Sequence, residues 1–159
     1  MKLLPSNLAL EVIEKLKLKK LTISSAESLT GGLVGVSLSS ISGASEVFKG
    51  SVVAYTDEIK INVLNVDSQV IKQFTSISEQ VALLMAQNVR KLMNSDIGIA
   101  TTGVAGPNPS AGFEPGIVFV AFASDDHNMC QKLELTGSRA DICGQSVEKI
   151  LQLTLSRLV

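Results

Sequence analysis

The segment from Leu21 to Leu38 limits the fold of this chain more than any other. Leu21 to Ile23 is a short apolar run of the kind that forms a buried strand. Ser24-Ser25-Ala26-Glu27-Ser28-Leu29-Thr30-Gly31-Gly32 follows, rich in hydroxyls and closing on paired glycines. Leu33-Val34-Gly35-Val36-Ser37-Leu38 then reads as a helix with small residues on one side. A strand that passes into a helix through such a turn belongs to α/β architecture. Unpaired N–H groups at a helix start attract anions and developing negative charge. Ser28 therefore stands as a nucleophile, a phosphate ligand or a helix cap, and the turn alone leaves all three open.

The rest of the chain repeats the alternation. Ser6 to Lys19 has apolar residues at Leu8, Val12, Ile13 and Leu16, a helical spacing with Ser6 as N-cap. Leu21 to Ser25 and Val47 to Tyr55 read as strands, with a helix from Gly31 to Ser40 between them. Thr56 or Asp57 caps a short helix through Leu64, and Val66 to Phe74 reads as a further short helix or an irregular stretch. Ser76 or Ser78 caps a long helix to Asn94 whose core stripe is Val81, Leu84, Met85, Val89 and Leu92. Asp96 to Thr102 is a strand, and Gly103 to Pro115 is a long loop of the kind that often carries function. Ile117 to Ser124 and Met129 to Leu135 form a hairpin through Asp125-Asp126-His127-Asn128. Ser138 caps a last helix through Leu158, with Ile142, Val147, Ile150, Leu151 and Leu155 facing the core. The expected fold is α/β, a three-layer α/β/α sandwich with a mixed, mainly parallel sheet, and residues 1–159 read as one domain.

Composition narrows the function classes. The 159 residues are 45% hydrophobic and 18% charged, the balance of a packed domain rather than a disordered chain. A net charge of −1 argues against a nucleic-acid partner. Met1-Lys2-Leu3-Leu4-Pro5 reads as neither a signal peptide nor a membrane span, so a cytoplasmic location with no membrane partner is expected. Cys130 and Cys143 have neither metal-site nor redox-motif spacing and read as idle thiols. His127 is the one histidine and falls in the hairpin turn. A zinc site and a Ser-His-Asp triad are both poorly supported, and no metal is expected.

In open α/β sheets ligands bind beyond the carboxyl ends of the strands. Three segments meet that description: Ala26 to Gly32, Tyr55 to Lys60 and Thr101 to Pro107. With histidine remote, lysine is the remaining activator for Ser28. Its ordinary pKa of about 10.4 must then be lowered by burial or a nearby cation. Lys60 and the single tyrosine, Tyr55, are placed to reach such a site, although by themselves they read as a surface charge and an interface aromatic. Thr102-Gly103 and Gly106-Pro107 form a second hydroxyl- and glycine-bearing turn. Arg139 follows Gly137-Ser138 at the start of the last helix, as a phosphate ligand or a solvated residue.

Taken together, Ala26 to Gly32, Gly43 to Phe48 with Gly50, Val53-Ala54-Tyr55-Thr56 with Lys60, and Thr102-Gly103-Val104-Ala105-Gly106-Pro107 resemble the CinA C-terminal domain family. That family includes the nicotinamide-nucleotide amidohydrolases. The resemblance implies hydrolysis of the carboxamide of nicotinamide mononucleotide to nicotinate mononucleotide and ammonia, without a cofactor. It places the chemistry on Ser28, Tyr55 and Lys60, with Tyr55 relaying or orienting the serine proton. Substrate contacts are expected from Glu27, Thr30, Gly31, Gly32, Thr102, Gly103, Gly106 and Arg139. Oxyanion donors are expected near Thr30 to Gly32 or Thr102 to Gly103. The partner is a small-molecule nucleotide, and homo-oligomerisation is left open. Departures from the family pattern fall at Asn108-Pro109-Ser110, at Glu114-Pro115, at Ser138 and at Cys143, on the expected substrate rim. The rival readings are a non-catalytic nucleotide-binding module of the same fold and a serine amidase for another small amide.

Overall fold

The structure, a computed structural model, describes residues 6–159. Met1 to Pro5, read above for targeting signals, lie outside the described residues. The elements are α1 (Asn7–Lys19), β1 (Ile23–Glu27), α2 (Leu33–Ser39), a 3₁₀ turn (Ala44–Glu46), β2 (Phe48–Val53), α3 (Asp57–Asn62), α4 (Ser68–Phe74), α5 (Glu79–Leu92), β3 (Ile97–Gly103), β4 (Ile117–Ala123), β5 (Asn128–Glu134) and α6 (Arg139–Arg157). Helix starts are set by side-chain acceptors. Ser6, Thr56, Asp67, Ser78 and Ser138 each accept a backbone N–H of the helix that follows, which supplies one of its otherwise unpaired donors. Ser138 forms a reciprocal capping box with Asp141.

The five strands lie in the order β2-β1-β3-β4-β5. β1 pairs in parallel with β2 and with β3, while β4 runs antiparallel to both β3 and β5. Four strands therefore point one way and β4 alone opposes them, which is the mixed, mainly parallel sheet expected. Alternate residues on β4 serve two cores, as the strand period of two requires. Val118, Val120 and Phe122 join α1, α2 and α6 on one face, and Phe119, Ala121 and Ala123 join α5 on the other. On the α5 face small residues bring the helix close. A Cβ at Gly98 would collide with the Ala86 carbonyl of α5. Leu92, expected in the core stripe of α5, is instead 55% exposed, because it lies at the helix end beyond the sheet. Leu84 and Leu155 are half-buried rather than fully covered.

Register brings the strand ends together. Glu27, the last residue of β1, sits beside Val53 of β2 and Thr101 of β3. The chain leaves all three strands at the same edge. The Ser28 N–H donates to the Thr101 carbonyl at 3.0 Å, and the Ala54 N–H donates to the Glu27 carbonyl at 2.8 Å. The segments 26–32, 55–60 and 101–107 are neighbours for this reason. The β4–β5 turn that carries His127 follows Ala123, which pairs with Gly98 at the opposite end of β3.

Candidate active site

Consecutive residues of a strand face opposite ways, and at the end of β1 this separates two functions. Glu27 points toward α2 and Ser28 toward the other side of the sheet. The Glu27 carboxylate is fully buried. Its Oε2 accepts from Thr30 Oγ1 at 2.6 Å, from Gly32 N at 3.0 Å and from Val34 N at 3.0 Å. Its Oε1 accepts from Gly35 N and Ser51 Oγ, both at 2.8 Å. The N-cap position of α2 is Gly32, which has no side chain to offer. Glu27 takes over the capping role, and its charge suits a helix start. Gly35 is needed at the close contact between α2 and β2, since a Cβ there would lie 2.9 Å from Ser51 Cβ.

Part of the expected substrate set lies away from the cavity. Glu27, Thr30, Gly31 and Gly32 do not line the cavity described next. The Glu27 carboxylate, the Thr30 hydroxyl and the Gly31 and Gly32 N–H groups bond internally. Thr30 Oγ1 bonds Glu27 and lies 2.8 Å from Thr101 Oγ1, and the Gly31 N–H donates to the Ser28 carbonyl at 3.0 Å. The Gly32 N–H, expected as an oxyanion donor, is held by Glu27. Among the described residues, the Leu29 and Thr30 N–H groups have no backbone acceptor, and of these two residues Leu29 lines the cavity.

Ser28 lies in the floor of a cavity of about 390 Å³, within the roughly 300–1,000 Å³ common for small-molecule sites. Tyr55, Lys60, Thr102, Gly103, Gly106 and Arg139 line it too. Lys60 is not a surface residue: it is 2% exposed. Its Nζ lies 3.2 Å from Ser28 Oγ, 3.5 Å from the Tyr55 carbonyl and 3.9 Å from Asp57 Oδ1. Burial holds the Lys60 pKa below its ordinary 10.5, and the nearby Asp57 carboxylate partly opposes this.

The Tyr55 phenol, expected to relay or orient the serine proton, faces away from Lys60. The Tyr55 side chain is 53% exposed, and its hydroxyl accepts from Arg139 at 2.6 Å, so the Tyr55 carbonyl rather than the phenol faces Lys60. Arg139 also donates to the Gly106 carbonyl, which fastens the glycine turn to the start of α6. Thr102 Oγ1 donates to the Ser76 carbonyl at 2.8 Å and ties the end of β3 to the segment before α5.

Sequence reasoning did not single out Leu29, Thr56, Asp57, Ser76, Ile77 and Ala111 as lining residues, whereas Asn108 and Ser110 were already placed on the rim. Asp57 had a readable signal, three residues before Lys60 on one helix, where side chains meet. Ser76 and Ile77 had none, since only the tertiary fold brings them to the strand ends. Cys130 is half-buried against the α5 face, and this burial with the Glu79 charge pushes its thiol up to about 12. Cys143 donates to the Leu29 carbonyl at 3.2 Å, and burial raises its pKa as well. Among the described residues, no group of three or more His, Cys, Asp or Glu is placed to hold a metal ion. No described helix is long and apolar enough to cross a membrane.

A buried lysine has a consequence for stability. The unfolded chain holds the Lys60 proton more tightly than the native protein, so burial costs stability at neutral pH. The cost is full below the native pKa and gone above 10.5. Lys60→Met should therefore raise stability at pH 7 by about 0.5–2 kcal/mol, with a smaller gain at pH 10. Urea melts at the two pH values check this. An equal gain at both would mean that folding does not lower the Lys60 pKa.

Fold and cavity together define a class: an α/β/α sandwich domain with a ligand-sized pocket at its parallel strand ends, floored by a buried serine–lysine pair. The chain belongs to the CinA C-terminal domain family, whose profile matches residues 5–158. A Bacillus cereus (strain AH187) protein named as competence-damage inducible is 45% identical over 139 residues, which are 87% of this chain and 34% of that protein. A similarly named protein of Halalkalibacterium halodurans is 42% identical over 139 residues, 87% of this chain and 33% of that one. The chain thus spans about a third of the length of these curated relatives. Among solved structures, the competence/damage inducible protein CihA from Agrobacterium tumefaciens superposes with a TM-score of 0.93 at 30% identity, over 99% of each chain. The competence or damage-inducible protein from Enterobacter asburiae gives 0.93 at 29% identity, over 96% of each chain.

Proposed function

We propose that this domain hydrolyses the carboxamide of nicotinamide mononucleotide, releasing nicotinate mononucleotide and ammonia. The observation that carries the reading is the 3.2 Å separation of Lys60 Nζ from Ser28 Oγ, with Lys60 buried and its pKa lowered. A lysine kept neutral by desolvation is a competent base for a serine hydroxyl. Ser28 Oγ attacks the carboxamide carbon as its proton moves to Lys60 Nζ. The carbonyl π electrons move onto oxygen, where the Leu29 N–H is a candidate donor. Collapse breaks the C–N bond, and the proton on Lys60 passes to the departing nitrogen to give ammonia. Water then attacks the ester, Lys60 takes its proton, and the proton returns to Ser28 Oγ as nicotinate mononucleotide leaves. Tyr55 and Arg139 form the rim rather than the proton path.

Incubation of the purified protein with nicotinamide mononucleotide should yield ammonia and nicotinate mononucleotide in equal amounts. Ammonia from other small amides but none from this nucleotide would move the reading to a different amidase. That outcome has a structural route through Asn108 and Ser110, which stand where the family resembled usually continues with glycine and which line the cavity. Binding without any ammonia would favour a non-catalytic module.

Arg139 is assigned to the substrate phosphate. Two of its five N–H donors engage Tyr55 and Gly106, which leaves others for a ligand. Arg139→Ala should raise KM about ten- to hundredfold with a smaller effect on kcat, the signature of a lost charge-assisted contact common to ground and transition states. Nicotinamide riboside, without the phosphate, should be turned over poorly by the unmodified protein and lose little more in the variant. Equal losses for both substrates would assign Arg139 to bracing Tyr55 and Gly106 alone.

A further inference from the structure

We infer that Asp57 is a positioning residue that sets the proton affinity of Lys60 and steadies the ammonium formed when Lys60 takes the serine proton. The inference rests on the serine–lysine reading and deepens it. Asp57 is the first residue of α3, three before Lys60, so both side chains rise from the same side of one short helix. Its Oδ1 lies 3.9 Å from Lys60 Nζ, and it lines the cavity in which Ser28 sits. The helix cap is Thr56, so Asp57 is not needed to start α3.

The electrostatic surroundings of Lys60 are sparse. Ser28 Oγ and the Tyr55 carbonyl, both uncharged, are its other near neighbours. Of the residues lining the cavity, only Tyr55, Asp57, Lys60 and Arg139 titrate or carry charge. The Tyr55 hydroxyl is turned outward to Arg139, whose guanidinium sits at the rim. The Glu27 carboxylate is on the far face of the sheet, enclosed by its own donors. Asp57 is thus the one carboxylate that faces the amine from within the cavity.

Burial and Asp57 act in opposite senses. Burial alone yields a neutral but weak base, poorly able to hold a proton between attack and C–N cleavage. A carboxylate at 3.9 Å raises proton affinity just where the ammonium must persist. Its half-exposed position moderates the effect through solvent screening. Removing the charge should make Lys60 lose its proton at lower pH, yet make it a poorer base once neutral.

The test compares Asp57→Asn with the unmodified chain by two readouts. In the free protein, the Lys60 side-chain NMR signal, assigned by its absence in Lys60→Arg, should titrate about one pH unit lower in the variant, the low end of the range for an opposite charge at this distance. With nicotinamide mononucleotide, the rising limb of kcat/KM should move down by the same amount, and its high-pH plateau should fall several-fold. A Lys60 midpoint that stays within 0.2 pH unit, by about the precision of the titration, or moves upward would overturn the inference. The NMR arm needs no turnover. If Lys60 shifts as expected but no amide is cleaved, the amidase reading fails and the electrostatic role stands.

Discussion

Ser28→Ala should lose about 10³-fold or more of kcat while the protein stays folded. The variant removes the hydroxyl that lies 3.2 Å from Lys60 Nζ and lines the cavity. Because nucleophile and base act as a unit, Lys60→Arg should fall about as far, and the double variant little further. Guanidinium does not surrender its proton near neutral pH, so keeping the charge does not keep the base. Stability should change little in Ser28→Ala, since α2 is capped by Glu27 and not by Ser28. Steady-state ammonia release, with a urea melt as control, measures both. Turnover within tenfold of the unmodified protein, about 1.4 kcal/mol of barrier, would remove Ser28 from the chemistry.

The second large effect falls on the fold. Glu27→Ala should destabilise the domain by about 3–5 kcal/mol, a large share of ordinary domain stability. The change strands three backbone N–H groups at the start of α2 and the hydroxyls of Thr30 and Ser51, all of which now point at one carboxylate. Buried donors without partners each cost about 1–3 kcal/mol, partly recovered by rearrangement. For a chain of this size the melting midpoint should drop by about 6–20 °C. Glu27→Gln keeps the shape but turns an NH₂ toward N–H donors, so it should lie between the two. A drop under 2 °C in Glu27→Ala, less than about 1 kcal/mol, would show that α2 does not depend on this acceptor.

These two predictions mark where the sequence was legible and where it was not. Caps were legible, because Ser6, Ser78 and Ser138 precede helical periodicity and their role is local. Strand ends marked the segments of Ser28, Lys60 and Thr102 as candidates, and the parallel register of β1, β2 and β3 is what brings them to one edge. The division of labour between Glu27 and Ser28 was hidden by reading the motif as one ligand-binding turn. The strand period of two already separates them, had β1 been carried through to Glu27. The burial of Lys60 had no local signal, since a lysine on a short helix is ordinarily solvated. The direction of the Tyr55 ring was not legible, because a position at a strand end locates the backbone but leaves the ring free to turn outward to Arg139. That contact joins residues 84 apart in the chain and depends on where α6 begins.

The most direct test of the central claim, covalent attack by Ser28, is a competition between water and hydroxylamine. With nicotinamide mononucleotide as substrate, the account predicts that rising hydroxylamine diverts product from nicotinate mononucleotide to the corresponding hydroxamate. Ammonia release from the carboxamide, followed with ¹⁵N-labelled amide, should not fall, because both nucleophiles act after the C–N bond has broken. Neither product should form with Ser28→Ala. Labelled ammonia without any hydroxamate, or hydroxamate that persists in Ser28→Ala, would contradict the account.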